Sequence, residues 1–302
     1  MMNRTATIAI LGLPNAGKST LLNSLIGEKI AAVSQAPQTT RTRILGVVNR
    51  ENCQFAFLDT PGLHRPEHAL NHRMMQRFEA CLQEADLILW VVDATGFLGP
   101  NERDLAQRIL AANLPTYLVI NKIDLVRKGR LLEKIVAYKD LLSVKEIIPV
   151  GAKFGENLET LWSILMRDLP EGPWAYDQET FTDQSERDLA AEFIREKVLR
   201  KTRDEIPHGV AVEIERWVEA DDSSLSDGVP CVETVIEARI LVERSSHRKI
   251  LIGSSGEKIR DIRQSAQREI RKLLQRPVRL ELFVKVDEGW RDRPDRLDHL
   301  QL

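Results

Sequence analysis

The first half of the chain alternates short apolar runs with amphipathic stretches. Thr7–Leu11, Gln54–Leu58, Leu87–Val92, Thr116–Ile120 and Ile147–Val150 have the length and composition of buried strands. Between them, Ser19–Ile26, Ala69–Gln83, Glu102–Ala112, Arg130–Leu142 and Leu158–Arg167 repeat apolar positions at helical spacing. Apolar strands alternating with helices predict an α/β domain, its mainly parallel sheet covered on both faces. The breaker cluster Leu169-Pro170-Glu171-Gly172-Pro173 then predicts a linker.

Beyond the linker the pattern changes. It predicts a charged helix over Ser185–Lys201, strands at Val210–Val218 and Cys231–Val242, and an acidic, solvated loop, Glu219–Pro230, between them. A short helix at His247–Ile252, a longer one reaching Leu274, and a strand at Val278–Val286 follow. The expected organisation is a nucleotide domain over 1–168, a linker over 169–184, a smaller α+β domain over 185–290 and a polar tail over 291–302.

Composition narrows the class. With 43% hydrophobic and 29% charged residues the 302-residue chain reads as globular, with room for two domains. The net charge of −2 hides a local excess: Arg244–Arg276 holds ten Lys/Arg against three Asp/Glu. Cys53, Cys81 and Cys231 are scattered, without a CxxC pair, and predict a reducing cytoplasm instead of a disulfide or zinc framework. The apolar run Leu87–Val92 is far short of the roughly 20 residues a spanning helix requires. His64, His68 and His72 fall at i, i+4, i+8; a solvated helix face is the expectation, with a metal clamp as the alternative.

Three motifs carry chemistry. Gly12-Leu13-Pro14-Asn15-Ala16-Gly17-Lys18-Ser19 matches G-x-x-x-x-G-K-[ST] between a strand and a helix. Its glycines let the backbone wrap around phosphate, Lys18 neutralises β/γ-phosphate charge, and Ser19 offers a hydroxyl to Mg²⁺. Asp59-Thr60-Pro61-Gly62 follows the second of these strands, so Asp59 is expected at the metal and the Gly62 amide near the γ-phosphate. Asn121-Lys122-Ile123-Asp124 selects the base. Asp124 would accept from guanine N1–H and the N2 amine, groups adenine lacks, so GTP and not ATP is expected.

These motifs together resemble the translation-factor-related branch of P-loop GTPases. That resemblance implies a switch at Gln38-Thr39-Thr40-Arg41, with Thr40 the γ-phosphate-sensing Mg²⁺ ligand, and a nucleotide site that includes Pro14, Ala16, Gly17 and Thr20. It also implies a base loop reading Ser-Ala-Lys where this chain has Gly151-Ala152-Lys153, so that a tethering hydroxyl is missing and the Ala152 amide is expected at guanine O6. Leu63 stands where a water-positioning glutamine is usual, which predicts slow hydrolysis. Related loops of the Pro-Asn-x-Gly-Lys-Ser type hold K⁺ through the asparagine, which suggests Asn15 and Thr39 as K⁺ ligands. Lys18, Asn15, Thr40 and Gly62 are then the catalytic candidates.

In the second half, Ile259, Ile262, Ala266, Ile270 and Leu273 form an apolar stripe that predicts a core face. The basic residues Lys258, Arg260 and Arg263 lie largely off it, free to meet phosphate. Gly253-Ser254-Ser255-Gly256 joins two helices as a G-x-x-G turn, the device by which KH domains clamp about four nucleotides. The order helix–strand–strand–helix–helix–strand is similar to the type II KH topology. With Glu196–Glu215 and Leu282–Asp292, the chain resembles the Era family of bacterial GTPases over nearly its whole length.

That resemblance implies a mainly parallel six-stranded G domain followed by a type II KH domain. It implies GTP/GDP and Mg²⁺ as ligands, and binding near the 3′ end of small-subunit ribosomal RNA during assembly of the 30S subunit. A cytoplasmic monomer that binds no DNA and associates peripherally with the inner membrane is a further expectation. The family commonly places a basic residue inside the G-x-x-G; with Ser254 and Ser255 there, affinity leans on Arg248, Lys249 and Lys258. Two other readings stay open: a GTPase reporting to a membrane or protein partner, and an RNA-binding adaptor with little turnover.

Overall fold

The computed structural model describes residues 2–36, 38–62, 68–139, 141, 143–202, 206–219 and 233–302. Leu63, His64, Cys231, the end of the predicted helix at Leu142 and most of the acidic loop lie outside them. By compactness the chain falls into two units: Met1–Val33, Thr40–Glu67 and Asn71–Asp183 in the first, Ser34–Thr39, His68–Leu70 and Gln184–Leu302 in the second.

The first unit is built on β1 (Arg4–Leu11), α1 (Lys18–Ile26), β2 (Ile44–Arg50), β3 (Cys53–Asp59), α2 (Ala69–Glu84), β4 (Leu87–Asp93), α3 (Pro100–Ala112), β5 (Thr116–Asn121), α4 (Lys128–Lys139), β6 (Glu146–Val150) and α5 (Leu158–Asp168). Its sheet runs β2-β3-β1-β4-β5-β6. All neighbours are parallel except β2, which pairs antiparallel with β3. Apolar side chains fill both faces: Trp90 meets Tyr138 edge-on at 5.3 Å, while Phe55 and Phe57 meet Trp162 at 5.0 and 5.8 Å. Full burial of each such side chain contributes about 2 kcal/mol or more, which favours this strand order over any that would expose them.

Strand β2 was not among the strands predicted, and Gly46 is the reason. A glycine in mid-strand weakens the β pattern, yet a Cβ there would meet Ile26 Cδ1 at 2.5 Å and Leu22 Cδ1 at 2.9 Å. Helix α1 therefore packs against bare backbone. The segment from Pro170 to Thr182, within the expected linker over 169–184, lies along the sheet: Val47 N donates to Phe181 O at 2.9 Å and Thr182 Oγ1 to Leu45 O at 2.7 Å. The buried Gln54 amide accepts from Ala175 N and Tyr176 N and donates to Tyr176 O. This covers backbone groups that an edge strand would otherwise expose.

In the second unit, α6 (Glu186–Lys201), β7 (Val210–Val218), β8 (Thr234–Val242), α7 (Ser245–Ile252), α8 (Glu257–Leu274) and β9 (Val278–Val286) follow the predicted order. Ser185 and Asp188 form a reciprocal capping box that starts α6. The sheet is β7-β8-β9, antiparallel then parallel. Ile262, Ala266 and Ile270 are fully buried, and Ile259 and Leu273 pack against the same core. The C-terminal residues fold as well: Trp290 Nε1 donates to Gly209 O at 3.2 Å, and α9 (Pro294–His299) buries Leu297.

Candidate functional site

In an open parallel sheet, ligands bind beyond the carboxyl ends of the strands. Here the ends of β1, β3 and β5 and the loop after β6 deliver the phosphate loop, Asp59, Asn121 and Ala152 to one edge. Gly17 has φ 94°, and a Cβ there would lie 2.2 Å from Asn121 Nδ2, so glycine is required twice over. Asn15 is also left-handed, at φ 63°. Lys18, 6% exposed, donates to Gly12 O at 2.9 Å and Leu13 O at 3.2 Å. The place for a Gly62 Cβ lies only 3.0–3.2 Å from Pro14, so this glycine lies against the phosphate loop.

Three oxygens expected at the metal meet. Ser19 Oγ is 2.7 Å from Asp59 Oδ2 and 2.8 Å from Thr40 Oγ1, and Thr40 Oγ1 is 3.3 Å from Asp59 Oδ2. Asp59 is fully buried, and its Oδ1 has no hydrogen-bond partner. Burial pushes this carboxyl above its ordinary range, opposed by Lys18, Ser19 and Thr40; burial likewise lowers the Lys18 ammonium, opposed by Asp59. Two hydroxyls and an orphaned carboxylate oxygen are a hard-oxygen donor set, and they fit Mg²⁺ directly or through its water.

On the base side, Lys122 adopts φ 65°, and its Nζ lies 2.6 Å from both Asn15 O and Asp93 Oδ2. Burial is the largest single influence on the Asp93 carboxyl and raises it, but hydrogen bonds from Lys122 and Thr95 and the Lys122 charge together outweigh it and hold the carboxyl low. Asp124 is exposed. Asn121, expected in the base pocket, also bolts loops together. Its Nδ2 donates to Ala16 O at 3.0 Å, and its Oδ1 accepts from Lys122 N and Ala152 N at 2.8 and 3.1 Å. The Ala152 amide, expected at guanine O6, is thus committed to Asn121 in this structure.

The tethering hydroxyl that Gly151 lacks comes from Ser24, whose Oγ is 2.6 Å from Ala152 O. Sequence reasoning missed Ser24 and Asp93; nothing in their local pattern marks either. Thr39 Oγ1 donates to Ala36 O and lies beside Ser34 Oγ, both at 2.7 Å. Lys153 Nζ lies 5.0 Å from the Phe154 ring centre, and Thr20 lends its carbonyl to Ser24. Of the histidine pattern, His64 lies outside the described residues, and among those described no group of three His, Cys, Asp or Glu is placed for a metal.

In the second unit the G-x-x-G turn is tightly specified. Gly253 has φ 73°, and a Cβ there would meet Lys258 Cβ at 2.8 Å. Gly256 and even Ser255 are left-handed, at φ 74° and 52°. Ser254 and Ser255 are exposed, as are Arg248, Lys249 and Arg260; Lys258 and Arg263 are half-buried. A strained turn beside exposed cations suits close approach of a phosphodiester backbone.

Residues 7–122 match the family model described as a 50S ribosome-binding GTPase, and residues 205–291 match the KH domain. Fold and site thus define a P-loop GTPase followed by a KH domain. The chain is 46% identical over 294 residues to GTPase Era of Heliobacterium modesticaldum, covering 97% of this chain and 95% of the relative. It is 42% identical over 297 residues to GTPase Era of Geobacter metallireducens, covering 98% and 97%. It superposes on Era of Aquifex aeolicus bound to GDP·AlF4⁻ with TM-score 0.91 at 38% identity, covering 98% of each chain. An Era complex with MgGDPNP and nucleotides 1506–1542 of 16S ribosomal RNA gives TM-score 0.89 at 38% identity, covering 99% and 98%. The chain belongs to the Era family of GTPases.

Proposed function

We propose that this chain is a GTP-hydrolysing switch that binds the 3′ region of small-subunit ribosomal RNA and acts in assembly of the 30S subunit. The carrying observation is that one chain holds both the Ser19–Thr40–Asp59 cluster beside Lys18 and the Gly253–Gly256 turn beside exposed cations. Ser19 and Thr40 would hold Mg²⁺, with Asp59 ordering its water; when bound, the ion neutralises charge developing on the phosphoryl oxygens. Lys18 places a second positive charge at the β/γ-phosphates. Thr40 and the Gly62 amide sense the γ-phosphate, so that both switch segments order only with GTP.

With Leu63 in place of glutamine, hydrolysis is expected to be slow. We keep Asn15 as a K⁺ ligand: turnover should rise when KCl replaces NaCl at equal ionic strength, and equal turnover contradicts the assignment. We place the protein in the cytoplasm as a monomer that binds no DNA, with peripheral contact at the inner membrane. No helix among the described residues is long and apolar enough to cross a membrane.

The RNA assignment is tested by Lys258→Ala and Arg263→Ala. Each should weaken binding of an rRNA 3′-end oligonucleotide uniformly across sequences and reduce the salt slope by about 1. Fluorescence anisotropy across a salt series measures both. A loss confined to one base position would contradict a phosphate role.

A further inference from the structure

Gly151 stands where the base loop of related GTPases carries serine, and its surroundings show what took that space. Its φ is −109°, which any residue adopts, so the need for glycine is steric. A Cβ there would lie 3.0 Å from both Cβ and Oε2 of Glu156, and 3.6 Å from Oδ1 of Asp124. Glu156 is fixed over this spot by its own backbone. Gly151 N donates to Glu156 O at 3.0 Å, and Glu156 N to Gly151 O at 3.1 Å, closing the loop as a two-bond bridge. The left-handed residues Gly155 and Asn157, at φ 74° and 61°, turn the chain on either side of it.

Two carboxylates therefore converge on one corner of the base site. Both residues are exposed, and among the described residues neither has a basic partner within ion-pairing distance. Like charges held together without a cation are unfavourable unless a ligand supplies donors. Guanine presents three hydrogens on the edge concerned, N1–H and two on N2. Asp124 can accept N1–H and one N2 hydrogen, which leaves the other N2 hydrogen for a second acceptor.

We propose that Glu156 is a further specificity-determining residue, accepting the outer hydrogen of the guanine N2 amine beside Asp124. The proposal rests on the reading of Asn121–Asp124 as the base site. A charge-assisted hydrogen bond in a solvated position discriminates by about tenfold. Inosine, which lacks the N2 amine, provides the comparison.

Dissociation constants for GDP and IDP should be measured on the full chain and on Glu156→Ala and Glu156→Gln. Glu156→Ala is expected to lose about tenfold in GDP affinity with IDP unchanged; Glu156→Gln, which keeps an acceptor oxygen, should lose less. Unchanged GDP affinity, equal losses for both nucleotides, or tighter GDP binding through relief of repulsion each overturns the proposal. Asp124→Asn separates the two levels. If it weakens GDP binding while Glu156→Ala does not, only the role of Glu156 falls; if Asp124→Asn has no effect, the base-site reading falls with it.

Discussion

Asp124→Asn is expected to lower GTP affinity by about 10⁴-fold and make XTP the preferred nucleotide. The carboxylate offers acceptors alone, matching guanine N1–H and the N2 amine. An asparagine turns one acceptor into a donor, which faces the N2 amine donor to donor. Xanthine carries a carbonyl at that position and keeps N1–H, so it matches the altered side chain. The scaffold around the residue should survive, because Asp124 is exposed and the loop is held by Asn121 and Lys122. Binding of GDP and XDP measured side by side checks this; unchanged preference for guanine would place the base elsewhere.

Lys18→Ala is expected to reduce GTP turnover by at least about 10³-fold. The lysine is buried within the loop, and its ammonium already opposes the Asp59 charge. Removing it withdraws a charge aimed at the phosphates and leaves a buried carboxylate without its compensating cation. It also frees the carbonyls of Gly12 and Leu13, which Lys18 holds in the resting loop. Single-turnover hydrolysis at saturating Mg²⁺ measures the first effect, and thermal unfolding without nucleotide checks that the unit still folds. Near wild-type turnover with an intact fold would show that another group carries the charge.

Much of this site was legible because its motifs are contiguous. Each sits at a strand end, where a change from apolar run to Gly, Asp or Asn marks the boundary, and the α8 stripe disclosed which face of that helix is core. What escaped reading depends on residues far apart in the chain. Ser24 meets Ala152 across 128 positions, Gln54 meets Tyr176 across 122, and Asp93 meets Lys122 across 29. No local periodicity encodes such pairs. Gly46 hid a strand because its missing side chain serves α1 packing, not strand propensity. The tail over 291–302 reads as polar because Leu297 and Leu302, its buried anchors, are diluted by charged neighbours. The motif marks Asn121 as a base contact, but no local pattern discloses that its amide also joins the phosphate loop to the base loop.

That junction matters for the switch. Asn121 links the loop that cradles phosphate to the loop after β6, and Lys122 links it to Asp93. Loosening either side should therefore disturb base and phosphate binding together. In the proposed switch the γ-phosphate is read by Thr40, whose hydroxyl lies 2.8 Å from Ser19 Oγ, and by Gly62, which lies against Pro14 of the phosphate loop.

In the proposed switch, nucleotide state governs RNA binding. This dependence is tested most directly by measuring the affinity of the full chain for an oligonucleotide of the rRNA 3′ end at one fixed salt concentration, with GDP and with a non-hydrolysable GTP analogue. Tighter binding with the analogue is predicted, with Lys258→Ala weakening both states. Equal affinity in the two states, or no binding in either, would contradict it.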